Sequence, residues 1–369
     1  MPFARRPERR FSPVGFPAAP GAREAAASAR EVPRRSLRQS FLAGALAFAV
    51  LLFLSLAVPP PAEAAGARAD EARAAVFSRA LAGMPAKRLF AQRKTPANLP
   101  PQPIGFYSRG CAAGNVSIAL TGDAWQVMRP KRNRYWGQPV LIRFLKDFAQ
   151  RAKREIGWNG LMIGDLSQPR GGPMLTGHAS HQIGLDADIW LMEMPARTLS
   201  MRERNTMSAV LMTLDRKRIN PRRFTVRHAR LLRMAAKYPE VQRIFVHPPI
   251  KKFLCDWSRR SGEKDRRWLA RIRPYYGHNY HFHVRLRCPK GAKLCKDQGD
   301  PREPDGTGCG RNLAYWYSDK PWGGGKARKP RRFYHGIPIP RPRPRKPRPR
   351  RQITLADLPK ACRRVLLAE

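Results

Sequence analysis

The sequence predicts an α+β fold in a single domain, and three observations carry the prediction. One amphipathic helix pattern and several short apolar or alternating runs occur in the same stretch of chain. Gly/Pro-rich loops separate these runs, the arrangement of an α+β domain rather than a regular alternation of helix and strand. Nearly all the aromatic and β-branched residues outside the N-terminal segment fall between Pro101 and Trp322, the only part able to bury a core of useful size.

In chain order, residues 1–64 read as an export signal behind a basic extension. Arginines cluster at Arg5, Arg6, Arg9 and Arg10 and again at Arg34, Arg35 and Arg38. An apolar run from Phe41 to Val58 follows, and Ala62-Glu63-Ala64 then supplies a small-x-small cleavage site, with cleavage expected after Ala64 or Ala65. The run is also long enough for an uncleaved membrane anchor. The pair Arg34-Arg35 invites a twin-arginine reading, but the general secretory route is the one expected, with no stable membrane span once the signal is removed. Residues 65–100, rich in Ala, Arg and Pro, suggest a short helix followed by a linker.

Within 101–322, Leu141, Phe144, Leu145, Phe148 and Ala152 recur at helical spacing and predict an amphipathic helix. Leu161 to Ile163, Leu185 to Leu191, Arg243 to Val246 and His281 to Arg287 read as strands. Trp268, Leu269 and Ile272 predict a brief helix ended by Pro274. From residue 323 to 351 the chain becomes a Gly/Pro/Arg-rich basic tail. It holds no acidic residue from Lys326 to Arg351, and its alternating prolines favour extended backbone. Residues 352–369 regain apolar character around Cys362, which could tie them back to the domain by a disulfide.

Charge bounds the partners. The chain has 72 Lys and Arg against 26 Asp and Glu, a formal net charge of +46, which demands an anionic partner or surface. The arginine runs toward the two ends read as tails held near anionic envelope polymers rather than as a basic binding groove. Nucleic acid is not expected, since no nucleic-acid fold signature accompanies the charge. Six cysteines, all beyond the export signal, fit three disulfides in an oxidising compartment, with the pairing left open. No C-x2-C spacing supports a structural zinc site.

Five of the eight histidines sit in two short clusters. One runs from Gly177-His178 through His181 to Asp186-Ala187-Asp188, and the other from His278 to His281-Phe282-His283. In a strand His281 and His283 share one face while Phe282, Val284 and Leu286 point the other way. Asp186 and Asp188 likewise share the polar face of the 185–191 strand, with His181 on the loop leading in. His181, Asp188 and His283 then offer two nitrogens and one oxygen. That is the donor set of a catalytic zinc site with one position open to water.

Zinc lowers the pKa of bound water from about 16 toward about 7, and a peptidase also needs a base for the water's proton. The H-E-x-x-H motif that usually supplies one is absent. The imidazole of His281, with an ordinary pKa of about 6.5, is the natural substitute. His178 and His278 are expected to assist by orienting neighbours or stabilising charge, His178 alternatively by binding a second ion. Arg170, in a Gly/Pro-rich loop, suits the carboxylates of a peptide substrate, as does the neighbourhood of Tyr135 and Trp136.

His181-x6-Asp188 with His281-x-His283 resembles the LAS-type metallopeptidases. Longer stretches resemble the penicillin-insensitive murein endopeptidase family within them. These are Gln126 to Pro130, Arg132 to Gly137, Gly164-Asp165, Gln168 to Met174, Gly177 to Trp190, Arg243 to Val246 and His278 to Cys288. The resemblance implies a LAS-type domain with a small, mainly antiparallel sheet flanked by helices and long loops. It also implies a periplasmic zinc hydrolase that cuts D-alanyl–meso-diaminopimelyl cross-links in peptidoglycan, with His281 assisting the water. It further implies the pairs Cys111–Cys362, Cys255–Cys309 and Cys288–Cys295. Carboxylates for a second metal on Met201–Asn220 are not matched, since Asp215 stands among Arg216, Lys217 and Arg218. The alternatives are a zinc D,D- or L,D-carboxypeptidase on stem peptides and a zinc-bearing cell-wall-binding protein without catalysis. The presence of His281 argues against the second.

Overall fold

The computed structural model describes residues 80–322 and 352–368, with the backbone of a short strand pair at 333–334 and 337–338. The chain divides into two compact units, Met1–Gly66 and Ala67–Glu369, and all described residues belong to the second. The export segment and nearly all of the basic tail lie outside the described residues. Among the described residues no helix is long and apolar enough to cross a membrane.

Eleven strands organise the domain. They are β1 (Gln102–Phe106), β2 (Arg109–Ala113), β3 (Val116–Ser117), β4 (Thr121–Gly122), β5 (Trp125–Val127), β6 (Trp136–Gly137), β7 (Leu161–Ile163), β8 (Asp186–Trp190), β9 (Val241–Val246), β10 (Ile272–Pro274) and β11 (His281–Leu286). Seven form one sheet in the order β10-β9-β11-β8-β7-β5-β4. The pairings β9–β11, β11–β8, β8–β7 and β5–β4 are antiparallel, while β10–β9 and β7–β5 are parallel. The fold is therefore α+β with a mainly antiparallel sheet. β1–β2 and β3–β6 form two small side pairs.

The helices are α1 (Ala86–Gln92), α2 (Pro139–Arg151), α3 (Met201–Thr206), α4 (Val226–Lys237), α5 (Pro248–Arg260), α6 (Trp268–Arg271), α7 (Arg311–Tyr317) and α8 (Ala361–Leu367). Pro139 opens α2, where its fixed φ suits a helix and its missing N–H costs no bond. Leu141, Phe144, Leu145 and Phe148 lie on its buried face. Phe148 meets Phe282 of β11 edge to face at 6.4 Å, and Tyr238 closes over Phe144 at 5.0 Å. The same alternation that sends Phe282 and Val284 into this core turns His281 and His283 to the opposite face.

Two expectations are corrected here. The segment 80–100 is not a linker beyond its helix. Leu89, Phe90 and Ala97 are buried with Ile104, Leu355, Leu358, Val365 and Leu366 in a second, smaller core. The apolar face of α1 has a partner in α8, and the Cys111–Cys362 disulfide crosses this core. Second, the brief helix stops at Arg271, and Ile272 enters β10 opposite Ile244. The β-branched side chain is fully buried there. Pro274, which cannot donate to a ladder, sits on the sheet's edge strand. Cys255–Cys309 and Cys288–Cys295 are closed as well, so the three bridges are the pairs the resemblance implies, and no described cysteine is free.

Candidate metal centre

The register of β8 against β11 builds the centre. His283 lies opposite Asp188 and Arg285 opposite Asp186, so the four side chains share one face as cross-strand neighbours. The other face is apolar, with Ala187, Ile189, Phe282 and Val284 buried. His181 arrives from the preceding loop with φ +66°, a left-handed conformation that a histidine adopts only when its surroundings hold it there. The hold is visible: its N–H donates to Asp186 Oδ2 at 2.9 Å. Gly184 makes the turn from loop to strand at φ +72°, and a Cβ there would lie 2.5 Å from Asn115 Oδ1.

Four imidazoles surround the Asp188 carboxylate. Oδ1 is 3.3 Å from His181 Nε2 and 3.2 Å from His283 Nδ1. Oδ2 is 3.4 Å from His178 Nδ1 and 3.7 Å from His281 Nε2. Despite these approaches, Asp188 Oδ1, both nitrogens of His181, His281 Nδ1 and His283 Nε2 are buried with no hydrogen-bond partner. Buried polar atoms rarely stay unpaired, and lone pairs that face one another repel unless a proton or cation lies between them. Two imidazole nitrogens and a carboxylate oxygen fit zinc chemically. His178, His181 and Asp188 each offer one donor atom, all within 4.8 Å of one another, so His178 stands close enough to share the centre.

Electrostatics follow from burial and these contacts. Burial alone would raise the Asp188 carboxyl, but the imidazoles of His281 and His181 outweigh it and hold its pKa well below the usual range. Asp186 behaves in the same way, with burial opposed by Arg285 and His283. Burial pulls His283 down, yet Asp186 and Asp188 push harder, and its pKa is raised. Burial lowers His281, with Asp188 opposing. His278 is drawn down to about 3, first by burial and then by His281 and His283. Its Nδ1 lies 2.7 Å from the Tyr276 carbonyl, which can only accept, so the proton sits on Nδ1 and Nε2 keeps a lone pair. In that form Nε2 can accept a hydrogen bond and cannot donate one.

Two carboxylates behind the histidines, Asp186 and Asp165, are not among the site residues the sequence pointed to. Asp186 Oδ1 takes Arg285 Nε at 2.8 Å and faces His283 Nε2 at 3.2 Å, while Oδ2 also takes Arg285. The 3.2 Å approach sets a carboxylate behind the ring that faces Asp188, the place an outer carboxylate takes behind a metal-binding histidine. Asp165, at the end of β7, holds His178 Nε2, Arg132 and Arg134, each at 3.0 Å. Burial opposes ionisation of Asp165, but His178 and the two arginines bring its pKa to about 2. The shared face of Asp186 and Asp188 was legible as a signal. For Asp165 the signals were its place just after an apolar strand and the Gly164-Asp165 pair among the stretches that carry the family resemblance.

The centre opens into a cleft of about 340 Å³, bordered among others by Arg132, Asp165, His178, Asp188, Tyr280 and His281. Arg170 does not reach it, and its reading as a substrate contact is corrected. It is buried, and its guanidinium donates to the carbonyls of Thr95, Val365, Leu366 and Ala368, closing the C-terminal end of α8. Tyr135 and Trp136 stack on each other at 5.6 Å and do not border the cleft either. The Trp136 indole is committed to Asn133 Oδ1 at 2.7 Å, and its backbone pairs with Ser167. Asp215 caps its own exposed turn, accepting from Lys217 N, Arg218 N and Arg218 Nε.

Comparison with known proteins adds an independent observation. The family model for penicillin-insensitive murein endopeptidase matches residues 103–367. The chain is 43% identical over 234 residues to the penicillin-insensitive murein endopeptidase of Haemophilus influenzae, covering 62% of this chain and 77% of that protein. The protein of the same name from Yersinia enterocolitica is 41% identical over 219 residues, covering 59% and 76%. That from Klebsiella pneumoniae is 39% identical over 216 residues, covering 58% and 76%.

Proposed function

Because the chain belongs to the penicillin-insensitive murein endopeptidase family, we propose that it hydrolyses D-alanyl–meso-diaminopimelyl cross-links of peptidoglycan in the periplasm, using zinc held by His181, Asp188 and His283. The coarser activity follows from the family: the protein is a peptidoglycan endopeptidase and hence a hydrolase. One observation supports the zinc reading above the others. Asp188 Oδ1 is buried between His181 Nε2 and His283 Nδ1 and hydrogen-bonded by neither, beside an open cleft.

When bound, zinc supplies a Lewis acid beside the scissile carbonyl and brings the pKa of water toward about 7. His281 borders the cleft and is kept neutral by burial, so it accepts the proton of the attacking water and returns it to the leaving amine. His278, neutral and with its ring 4.9 Å from His281, supports that imidazole as a hydrogen-bond acceptor beside it. His178, tied to Asp165, guards the cleft side of the centre and orients what enters. The export-signal pattern read in residues 1–64 and the three disulfides support an oxidising compartment outside the cytoplasm. The basic run Lys326–Arg351 is proposed to hold the enzyme against anionic envelope polymers, so its deletion should abolish salt-sensitive retention on cell walls.

The test is digestion of purified cross-linked peptidoglycan by the mature protein, with and without chelator, followed by mass analysis of the fragments. Loss of cross-linked dimers without release of terminal D-alanine, abolished by chelator and by His283→Ala, is expected. Free D-alanine alone would make the enzyme a carboxypeptidase instead. Full activity in His283→Ala would remove the proposed ligand set.

A further inference from the structure

The catalytic cleft adjoins a second groove. A concavity of about 600 Å³ is lined by Ser108, Arg109, Met174, Ala179, Gln182 and Ile353 among others, and His178 borders both it and the cleft. The floor of this groove is held rigidly. The buried Gln182 amide accepts from Gly110 N at 3.1 Å and donates to Ser108 O at 2.9 Å and Ala179 O at 3.2 Å. Ile353 comes from the C-terminal stretch that the Cys111–Cys362 disulfide ties to the domain.

The arginines around the centre differ in what they face. Arg132 and Arg134 are paired with Asp165, and Arg129 donates to the carbonyls of Asn205 and Met207. Arg109, the first residue of β2, is exposed in the second groove, and its side chain has no hydrogen bond or ion pair among the described residues. A carboxypeptidase substrate ends one residue beyond the scissile bond, whereas a cross-link continues on both sides. Two grooves meeting at His178 suit a substrate of the second kind. On the amine side of a D-alanyl–diaminopimelyl bond, the carbon bearing the scissile nitrogen also bears a free carboxylate.

Resting on the function proposed above, we infer that the Arg109 groove receives the amine-side stem of the cross-link and that the Arg109 guanidinium binds this carboxylate. The planar guanidinium fork matches a carboxylate through two parallel N–H···O bonds. Arg109 is then a specificity-determining residue, and the Ser108–Gln182 contacts position it. Its charge favours an acidic centre next to the bond over an amidated one.

The experiment compares steady-state cleavage of two purified cross-linked muropeptide dimers by the zinc-loaded mature protein, its Arg109→Gln variant and its Arg109→Lys variant. One dimer carries the free carboxylate beside the scissile nitrogen, and the other carries a carboxamide there. Arg109→Gln should lower kcat/KM about tenfold or more on the acid dimer, mainly through KM, the size of a lost charge-assisted hydrogen bond. On the amidated dimer it should change kcat/KM by less than about twofold, and Arg109→Lys should recover part of the loss on the acid dimer. Equal losses on both dimers, or no loss on either, overturn the assignment while leaving the endopeptidase reading intact. Failure of the unaltered protein to cut either dimer overturns both.

Discussion

Replacing Arg170 with glutamine separates a structural arginine from a substrate contact. Arg170 is buried at 4% exposure, and its guanidinium donates to Thr95 O at 3.1 Å, Val365 O at 3.0 Å, Leu366 O at 2.8 Å and to Ala368 O. Three of these carbonyls lie at the end of α8, where no intrahelical donor remains for them. Each hydrogen bond to a charged donor contributes about 1.5–3 kcal/mol, but bonds that share one side chain do not add. A glutamine reaches at most one or two of the acceptors and leaves the rest buried without donors. A loss of about 3–5 kcal/mol is therefore expected, in the range for breaking a buried charged network. At about 2–4 °C per kcal/mol for a domain of this size, the unfolding midpoint should fall by about 6–20 °C. The Cys111–Cys362 bridge still tethers α8, so the variant should fold at low temperature. The assay is thermal unfolding followed by circular dichroism, paired with kinetics on cross-linked peptidoglycan well below both midpoints. The expected result is a lower midpoint with KM near that of the unaltered protein. A midpoint within about 2 °C together with a raised KM would refute this reasoning and return Arg170 to the substrate.

Two further outcomes are expected. His228 is buried, with Nδ1 accepting from Thr225 N at 3.0 Å and Nε2 facing Leu191 O at 2.9 Å, and burial pulls its pKa down to about 4. Its folded value lies below the ordinary one of about 6.5, so its stabilisation is complete above about pH 6.5 and declines as pH falls toward 4, by about 3 kcal/mol in all. Urea midpoints measured from pH 7.5 to 4 should fall accordingly, and His228→Gln should flatten that component; parallel pH profiles for the two proteins would discard the assignment. For the metal, a ligand at a thousand times its Kd stabilises the native state by about 4 kcal/mol. Chelator should therefore lower the thermal midpoint of the zinc-loaded protein by about 8–16 °C and leave that of His181→Ala unchanged. A midpoint indifferent to chelator in the unaltered protein would count against a metal centre.

Periodicity made much of the fold legible before any coordinates. The spacing of Leu141, Phe144, Leu145 and Phe148 marks α2, and the runs at 161–163, 185–191, 243–246 and 281–287 fall on β7, β8, β9 and β11. Ile272 is ambiguous in the sequence because one β-branched residue beside a helical turn fits either period. Only its pairing with Ile244 decides between them. The segment 80–100 looked like a linker because its apolar residues are few, and their partners on α8 lie at the far end of the chain.

By itself the sequence determined which side chains could meet. Alternation along two strands put His281 and His283 on one face and Asp186 and Asp188 on another, because a side-chain period of two leaves no freedom in the matter. The tertiary structure decided which faces were joined and what each charge does. The β8–β11 register set His283 against Asp188 and Arg285 against Asp186. Long-range contacts gave Asp165 to His178, closed Arg170 onto α8 and left Arg109 open beside the cleft. The local pattern of an arginine does not separate Arg170 from Arg109. Its role depends on partners as far away as 198 residues along the chain, which local periodicity cannot encode.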